Sequence, residues 1–456
     1  MKKVLGLIAA SMLLAAPVLA ADAPTYNCDY EPACEVSPGI YGAMASPVKS
    51  KFDLSIGGYV KLDYVYNSTA IGPVLPGAPG GSIPVSKSAA NLRDESVFTA
   101  KQSRLWFKVV GPTFLGAKTG SLIETDFYGG NSTSNEQPNM RLRLAYGSLD
   151  WANTQVIFGQ YFDTFGPLVG NTLDFRQGGT TGAPNNPRVP QIRLTQKLNF
   201  NDDNNIRLAV AVQNPVQDNP VAGDASVGGI PNPPASVGTN FGDEPNLAAQ
   251  LMFVSKSLGV APGFWGIPMN SLQLGFFGLV GSQKVAVSGG TAGLAVQHAV
   301  DVYGYGFYGF VPLLRSKDGK NRAMTASLET QAYISAGLAV QGANALAVTG
   351  AAPGLTAAKG WGGYGQIVFY PTQQLGIIGG YGRRNVFGYH NYALGTEVYN
   401  EQAFGSVAYD LNAAVRVAVE YDYVKTQYKT TANQEYSATG QIGQDNKIQF
   451  SAFYFF

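Results

Sequence analysis

The residues best suited to bind a ligand are basic side chains in the first half of the chain. They stand at alternate positions in short segments, as in the RLWFK run at 104–108 and the RLR run at 141–143. Guanidinium and ammonium groups bind carboxylates and phosphates, so the expected chemistry is recognition of anions. Eight cations and three acids share the pattern: Lys61, Arg104, Lys108, Arg141, Arg143, Arg193, Lys197 and Arg207, with Asp63, Glu124 and Asp126.

Catalytic motifs are missing from the sequence. The two histidines, His298 and His390, are far apart, and neither H-E-x-x-H nor G-x-S-x-G occurs. The GYGFYG run at 304–309 matches a dinucleotide fingerprint in letters, but glycine alternating with aromatic residues and no surrounding βαβ unit favours a strand. The sequence predicts no enzyme, no metal site and no cofactor.

Alternation of apolar and polar residues places the basic side chains on strands. In the segment 414–425, Val and Tyr alternate with Arg, Ala, Glu and Asp, and successive side chains of a strand point to opposite faces. The segments 102–110, 206–213 and 446–456 repeat the pattern. In the segment 140–148 the alternation predicts Leu142, Leu144 and Tyr146 on the face opposite Arg141 and Arg143.

About sixteen strand candidates fall within residues 51–456, and the connections between them tend to alternate between short and long. Short turns at one end and long loops at the other are typical of outer-membrane barrels. Backbone groups cannot remain unpaired in a membrane, so the sheet must close. The sequence predicts an all-β fold, a transmembrane antiparallel β-barrel with short periplasmic turns and long extracellular loops, wide enough for an aqueous channel.

The N-terminus and the charge balance agree with export. A basic start, an apolar run and small residues before Ala21 predict a signal peptide at 1–20. Residues 21–50 are expected to form a short periplasmic segment, in which Cys28 and Cys34 form a local disulfide. Without the two signal-peptide lysines, 29 basic residues remain against 30 acidic ones, which argues against a nucleic-acid partner.

Several segments resemble a known family. The AFYFF end at 452–456 resembles the C-terminal signal of outer-membrane barrels. The IGGYVKLD run at 56–63, with the RLRLAYG run at 141–147 and the FGQ run at 158–160, resembles trimeric Gram-negative porins, particularly the DcaP-like and OmpJ-like groups. The resemblance implies a homotrimer among bacterial outer-membrane lipid and passive diffusion of small hydrophilic solutes. It also implies an inward-folded constriction loop, here residues 162–187 with Asp163, Asp174 and Arg176.

The charge pattern predicts how such a pore would select solutes. Charge on the lipid face costs about 2–4 kcal/mol at mid-membrane, so the eleven charged residues are expected to line the lumen. Their basic excess predicts a mild preference for anions, organic anions among them. Alternatively, the acids pair off part of the basic set and leave a weakly selective pore. A transporter with a hydrophobic interior, a non-conducting structural barrel and the barrel partner of an electron-transfer conduit remain open.

Overall fold

The computed structural model of the chain describes residues 52–69, 94–129, 138–174, 180–184, 187–215, 244–288, 295–338, 348–349, 356–388, 397–429 and 442–456. The predicted signal peptide, the segment with Cys28 and Cys34, and Arg176 lie outside these residues.

The described residues form sixteen long antiparallel strands, and each predicted segment overlaps one of them. The second strand is interrupted by a turn and is counted as one. The strands are β1 Asp53–Asn67, β2 Glu95–Thr99 with Arg104–Phe114, β3 Ala117–Gly129, β4 Asn139–Asp150, β5 Thr154–Phe162, β6 Arg188–Asn199, β7 Asn204–Gln213, β8 Asn246–Ser255, β9 Leu272–Ser288, β10 Ala295–Leu314, β11 Thr325–Ala336, β12 Lys359–Tyr370, β13 Leu375–Val386, β14 Glu397–Asp410, β15 Val415–Tyr428 and β16 Ile442–Phe455.

The sheet closes on itself. Each strand pairs with its neighbours in sequence, and β1 also pairs with β16, from Tyr59 opposite Phe455 to Asn67 opposite Lys447. Beyond the last strand, Gly58 and Phe456 exchange two backbone hydrogen bonds of 3.0 and 3.1 Å. The predicted closed barrel of sixteen strands is confirmed.

The barrel is apolar outside and polar inside. On β1, Leu62 is 48% exposed whereas the neighbouring Lys61 is fully buried. On β16, Phe450 is 53% exposed whereas Gln449 is buried. This arrangement is the reverse of that in a soluble protein, and it directs the apolar face to lipid. No helix in the described ranges has the length and hydropathy needed to span a membrane.

One predicted strand face is wrong. The pairing of β3 with β4 shifts between Glu124 and Thr125, which leaves Arg143 as an extra residue on β4. Such a bulge sends two successive side chains to the same side, and both Arg143 and Leu144 are buried. Leu144 and Tyr146 therefore lie on the inner face with Arg143, rather than on the opposite face as the strict alternation predicted.

The connection between β8 and β9 lies at the short-turn end but is long enough to fold inward. Residues 256–271 contain a 3-10 turn, Phe264–Gly266, between two short paired segments, Ala261–Pro262 and Met269–Asn270. Ser327, on the inner face of β11, donates a 2.7 Å hydrogen bond to the Pro262 carbonyl. The turn therefore occupies part of the barrel mouth.

Candidate pore

The connection between β5 and β6 is residues 163–187 (loop 3), and its described parts, residues 163–174, 180–184 and 187, lie inside the barrel. Three of its backbone N–H groups donate hydrogen bonds to inward side chains of β11, β12 and β15. The bonds are Leu168 to Gln331 on β11 (3.2 Å), Asn171 to Gln366 on β12 (2.7 Å) and Leu173 to Glu420 on β15 (2.8 Å). Loop 3 therefore follows the inner face of the second half of the barrel.

At Leu173 and Asp174, loop 3 reaches the opening strands. Lys61 on β1 donates to the Leu173 carbonyl at 2.5 Å and also to the side-chain oxygen of Gln102. Gln102 in turn donates to Asp174 at 2.6 Å. Lys61 forms a 3.0 Å ion pair with Asp63, and both side chains are buried. Lys61, Asp63 and Asp174 thus anchor the loop to the wall.

The base of loop 3 is fixed by Asp163 and Phe165. The Asp163 carboxylate accepts hydrogen bonds of 2.9 Å from the Phe165 backbone and from Gln213 on β7. The buried Phe165 ring makes edge contacts with Phe277 and Tyr333, with centroid distances of 4.9 and 5.5 Å. Asp163 therefore positions the start of the loop.

The returning part of loop 3 lies against β13 and β14. Thr181 donates through its backbone N–H to Gln402 at 2.9 Å and through its hydroxyl to Asn400 at 2.6 Å. A Cβ at position 382 would lie 1.8 Å from the Thr181 carbonyl oxygen. The close approach therefore depends on Gly382.

Strands β2, β4, β6 and β7 carry seven of the eight predicted basic residues on the inner face. Arg104 and Arg143 are buried there, and the Arg193 guanidinium carbon lies 4.4 Å from the centroid of the Tyr161 ring. Arg193 Nε has no hydrogen-bond partner within the described chain. Three more cations point inward: Lys108, which pairs with the buried Leu122, and Lys197 and Arg207, whose neighbours Leu198 and Leu208 are exposed on the outer face.

The two acids on this wall are paired with two of the arginines. Arg143 bonds to Glu124 through Nε and to Asp126 through Nη1, the latter at 3.0 Å. Arg141 donates to Asp126 through Nε at 2.9 Å. These pairs and the Lys61–Asp63 pair match all three predicted acids with cations, so within the predicted set of eleven residues the cations outnumber the acids by five.

Comparison with known proteins identifies the fold. No protein-family model and no curated protein matches the chain. Among solved structures, it is similar to the outer membrane channel DcaP of Acinetobacter baumannii, with TM-score 0.65 and 18% identity over 90% of this chain and 99% of that one. OprB of Pseudomonas putida follows with TM-score 0.51 and 10% identity, over 88% and 94% of the two chains. The fold is that of an outer-membrane porin.

The resemblance that the sequence indicated is thus confirmed at the level of the fold. A porin barrel with an apolar exterior is an outer-membrane structure, and the exposed aliphatic and aromatic residues of this chain form such an exterior. Within the porin fold, side-chain chemistry distinguishes one channel from another. The charges inside this barrel therefore decide what it can do.

Sequence reasoning missed a basic residue beside the paired arginines. Arg188, the first residue of β6, is close enough to Arg143, Arg141 and Asp126 to interact with them electrostatically. Strict alternation would group Arg188 with the exposed Ile192 on the outer face. Because Arg188 is the first residue of the strand, its side chain need not follow the alternation, and its position is known only from the fold.

The opposite side of the porin interior carries acids that were not among the predicted site residues. Glu420 and Asp422 on β15 are fully buried on the inner face. Asp422 pairs with Lys447 at 3.1 Å and accepts from Gln402 at 2.6 Å. The alternation in the sequence of β15 had placed these two acids on the face opposite the apolar one. The inner face of β15 therefore combines two acids with Arg416, and one of the acids is paired with Lys447.

Proposed function

We propose that this porin barrel is a passive channel for small hydrophilic solutes, with a mild preference for anions. The observation that carries the proposal is the path of loop 3. The loop bonds to the inner faces of β11, β12 and β15, opposite the strands that carry the basic residues. Solutes then pass between loop 3 and the wall formed by β2 to β7, where loop 3 narrows the lumen.

The basic residues on that wall would favour anions. Arg104, Lys108, Arg193, Lys197 and Arg207 lie on the inner faces of β2, β6 and β7, and cations outnumber acids by eight to three among the predicted inner residues. Rows of Arg and Lys along a pore select anions. The selectivity stays mild because Glu124 and Asp126 neutralise Arg141 and Arg143 in the same wall.

Small organic carboxylates fit this wall best among the anions. The Arg193 guanidinium carbon lies 4.4 Å from the centroid of the Tyr161 ring, and its Nε has no hydrogen-bond partner among the described residues. Guanidinium and carboxylate groups form two parallel hydrogen bonds. A passing carboxylate would therefore meet a donor at Arg193.

Conductance in a planar bilayer tests the proposal. The purified chain should form open channels, and a KCl gradient should give a reversal potential displaced toward the chloride equilibrium. A clearly cation-selective channel would contradict the anion preference. Absence of conductance would favour the structural barrel, and tight co-purification of a cytochrome would favour the electron-transfer conduit.

The oligomeric state is a separate part of the proposal. The sequence resemblance to trimeric porins supports a homotrimer embedded in outer-membrane lipid. Mass measurement of the detergent-solubilised protein should give three copies. A monomeric mass under mild detergent conditions would contradict this.

A further inference from the structure

One row of charges lies on the outside of the barrel. Arg383 on β13 is directly opposite Glu401 on β14, which is directly opposite Lys425 on β15. All three alternate with buried inner residues, and two residues before Arg383 the outward Tyr381 is 48% exposed. The row therefore faces the surroundings of the barrel and not the lumen.

Two cations in this row share one carboxylate. Arg383 Nη1 lies 3.2 Å and Lys425 Nζ 3.8 Å from the two oxygens of Glu401. Tyr399 lies beneath both cations, 4.2 Å from the Arg383 guanidinium carbon and 5.7 Å from the Lys425 nitrogen. The cluster is held in place, carries a net positive charge, and leaves 30% of Arg383 and 26% of Lys425 exposed.

The height of the row matches the edge of the apolar band. Eight residues separate Arg383 from Leu375 at the short-turn end of β13. At about 3.3 Å per residue and a tilt of about 40°, they span roughly 20 Å along the membrane normal, close to the band height of about 25 Å. An Arg or Lys that faces lipid costs about 2–4 kcal/mol at mid-membrane and about 0–1 kcal/mol near the interface. At the edge of the apolar band, the outward charges of this row therefore cost little.

The aromatic residues below the row indicate the same level. Tyr381 donates to Glu401 at 2.8 Å, and Tyr421, four residues before Lys425, is 48% exposed. Aromatic girdles mark the headgroup boundary of outer-membrane barrels. Other outward charges toward the long-loop end include the acids Asp301 on β10 and Asp94 before β2, and Lys359 on β12. The basic sector is formed by Arg383, Glu401 and Lys425 on β13 to β15, where two cations share one acid.

We propose that this sector binds a phosphate group of a lipid headgroup in the outer leaflet. Arg383 and Lys425 donate to the phosphate oxygens while the acyl chains lie along the apolar face below. Charge-assisted bonds from Arg to phosphate are among the strongest that proteins form. The ligand class is a phosphorylated lipid, and lipopolysaccharide is the probe.

Binding of lipopolysaccharide to the detergent-solubilised chain, measured by native mass spectrometry, tests the proposal. Each interfacial cation contributes about fivefold to anionic lipid binding, so R383Q/K425Q should lower the affinity about 25-fold. Enzymatic removal of the lipid phosphates should lower it comparably. E401Q should raise the affinity, because it removes the competing carboxylate; a purely structural ion network would not produce that gain.

The control is K317Q/K320Q, which removes two exposed lysines at the short-turn end and should leave lipid binding unchanged. Wild-type affinity in R383Q/K425Q, or equal binding of phosphate-free lipid, would overturn the proposal. The proposal would also be overturned if R383Q/K425Q changed the oligomeric mass and left lipid binding unchanged, because the sector would then be a subunit contact. Displacement of the bound lipid by inorganic phosphate, without any dependence on the lipid, would overturn it as well.

Conductance of R383Q/K425Q should remain at the wild-type level, so this test is independent of the channel function.

Discussion

At the scale of single residues, an inward charge has one of two roles. Lys61, Asp163 and Asp174 hold loop 3 through hydrogen bonds to its backbone or to Gln102. Arg193 instead lies against the Tyr161 ring, and its Nε has no hydrogen-bond partner among the described residues. Charge counting alone could not separate these roles, because both kinds of residue stand at inward positions of the same alternation.

Arg193→Gln should weaken the anion preference without disturbing the fold. A unit charge about 6 Å from a permeating ion contributes about 0.7 kcal/mol even in water, which corresponds to about a threefold change in the anion-to-cation permeability ratio. Reversal potentials in a KCl gradient measure it. Lys320→Gln, the same charge change in an exposed turn, is the control. An unchanged ratio in R193Q would place the permeation path away from β6.

Asp318 should make one short turn sensitive to acid. The backbone N–H groups of Asn321 and Lys320 donate to its carboxylate and hold its pKa below the ordinary value of 3.8. The charged form is therefore favoured when folded, so this stabilisation is present above the ordinary pKa and is lost as the pH falls through the lowered value. The protection of the Lys320 and Asn321 amides, measured relative to their intrinsic exchange rates, should fall at low pH, and in D318A it should be low at every pH. Equal protection in both proteins would contradict this.

At the scale of elements, the sequence predicts what depends on local alternation. All sixteen strands follow from it, and the outward side chains of β15 and β16 were assigned correctly. The bulge at Arg143 inverted the faces of Leu144 and Tyr146, because one inserted residue changes the phase of everything beyond it. Alternation also carries no information on bulge positions.

The path of loop 3 illustrates the limit of local patterns. Leu173 bonds to Glu420, 247 residues away in the sequence. The family resemblance predicted that loop 3 folds inward, but not which strands the loop contacts. Those contacts, and the inward turn around Trp265, are visible only in the closed barrel. Contacts between distant segments are set by closure, which no single segment specifies.

Gly382→Ala should displace the returning part of loop 3. Its Cβ would meet the Thr181 carbonyl at 1.8 Å, and overpacking of this kind costs about 1–3 kcal/mol. The expected result is a noisier channel of altered conductance in single-channel recordings. Gly405→Ala, on the neighbouring strand with open space around it, should behave as wild type. A normal trace from G382A would mean that Thr181 does not rest on β13 in the membrane.

At the scale of the whole molecule, Phe456 extends the seam that closes the barrel. Phe456 and Gly58 exchange two backbone hydrogen bonds beyond the pairing of β1 with β16. In a membrane an unpaired backbone group costs several kcal/mol, so the seam between the first and last strands should be the element most sensitive to shortening. The aromatic side chain and the backbone of Phe456 make separable contributions to that seam.

Deletion of residue 456 should therefore reduce the folded yield much more than Phe456→Ala does. The deletion removes both backbone bonds, whereas the substitution retains them and loses only the ring. Refolding of the purified chain in detergent isolates this effect from recognition of the C-terminal signal in cells. The folded fraction can be read from the heat-dependent shift in gel mobility, and the thermal midpoint of the folded species should be lower for the deletion. If F456A fails as completely as the deletion, the seam is held by aromatic packing against β1 and not by the two backbone bonds.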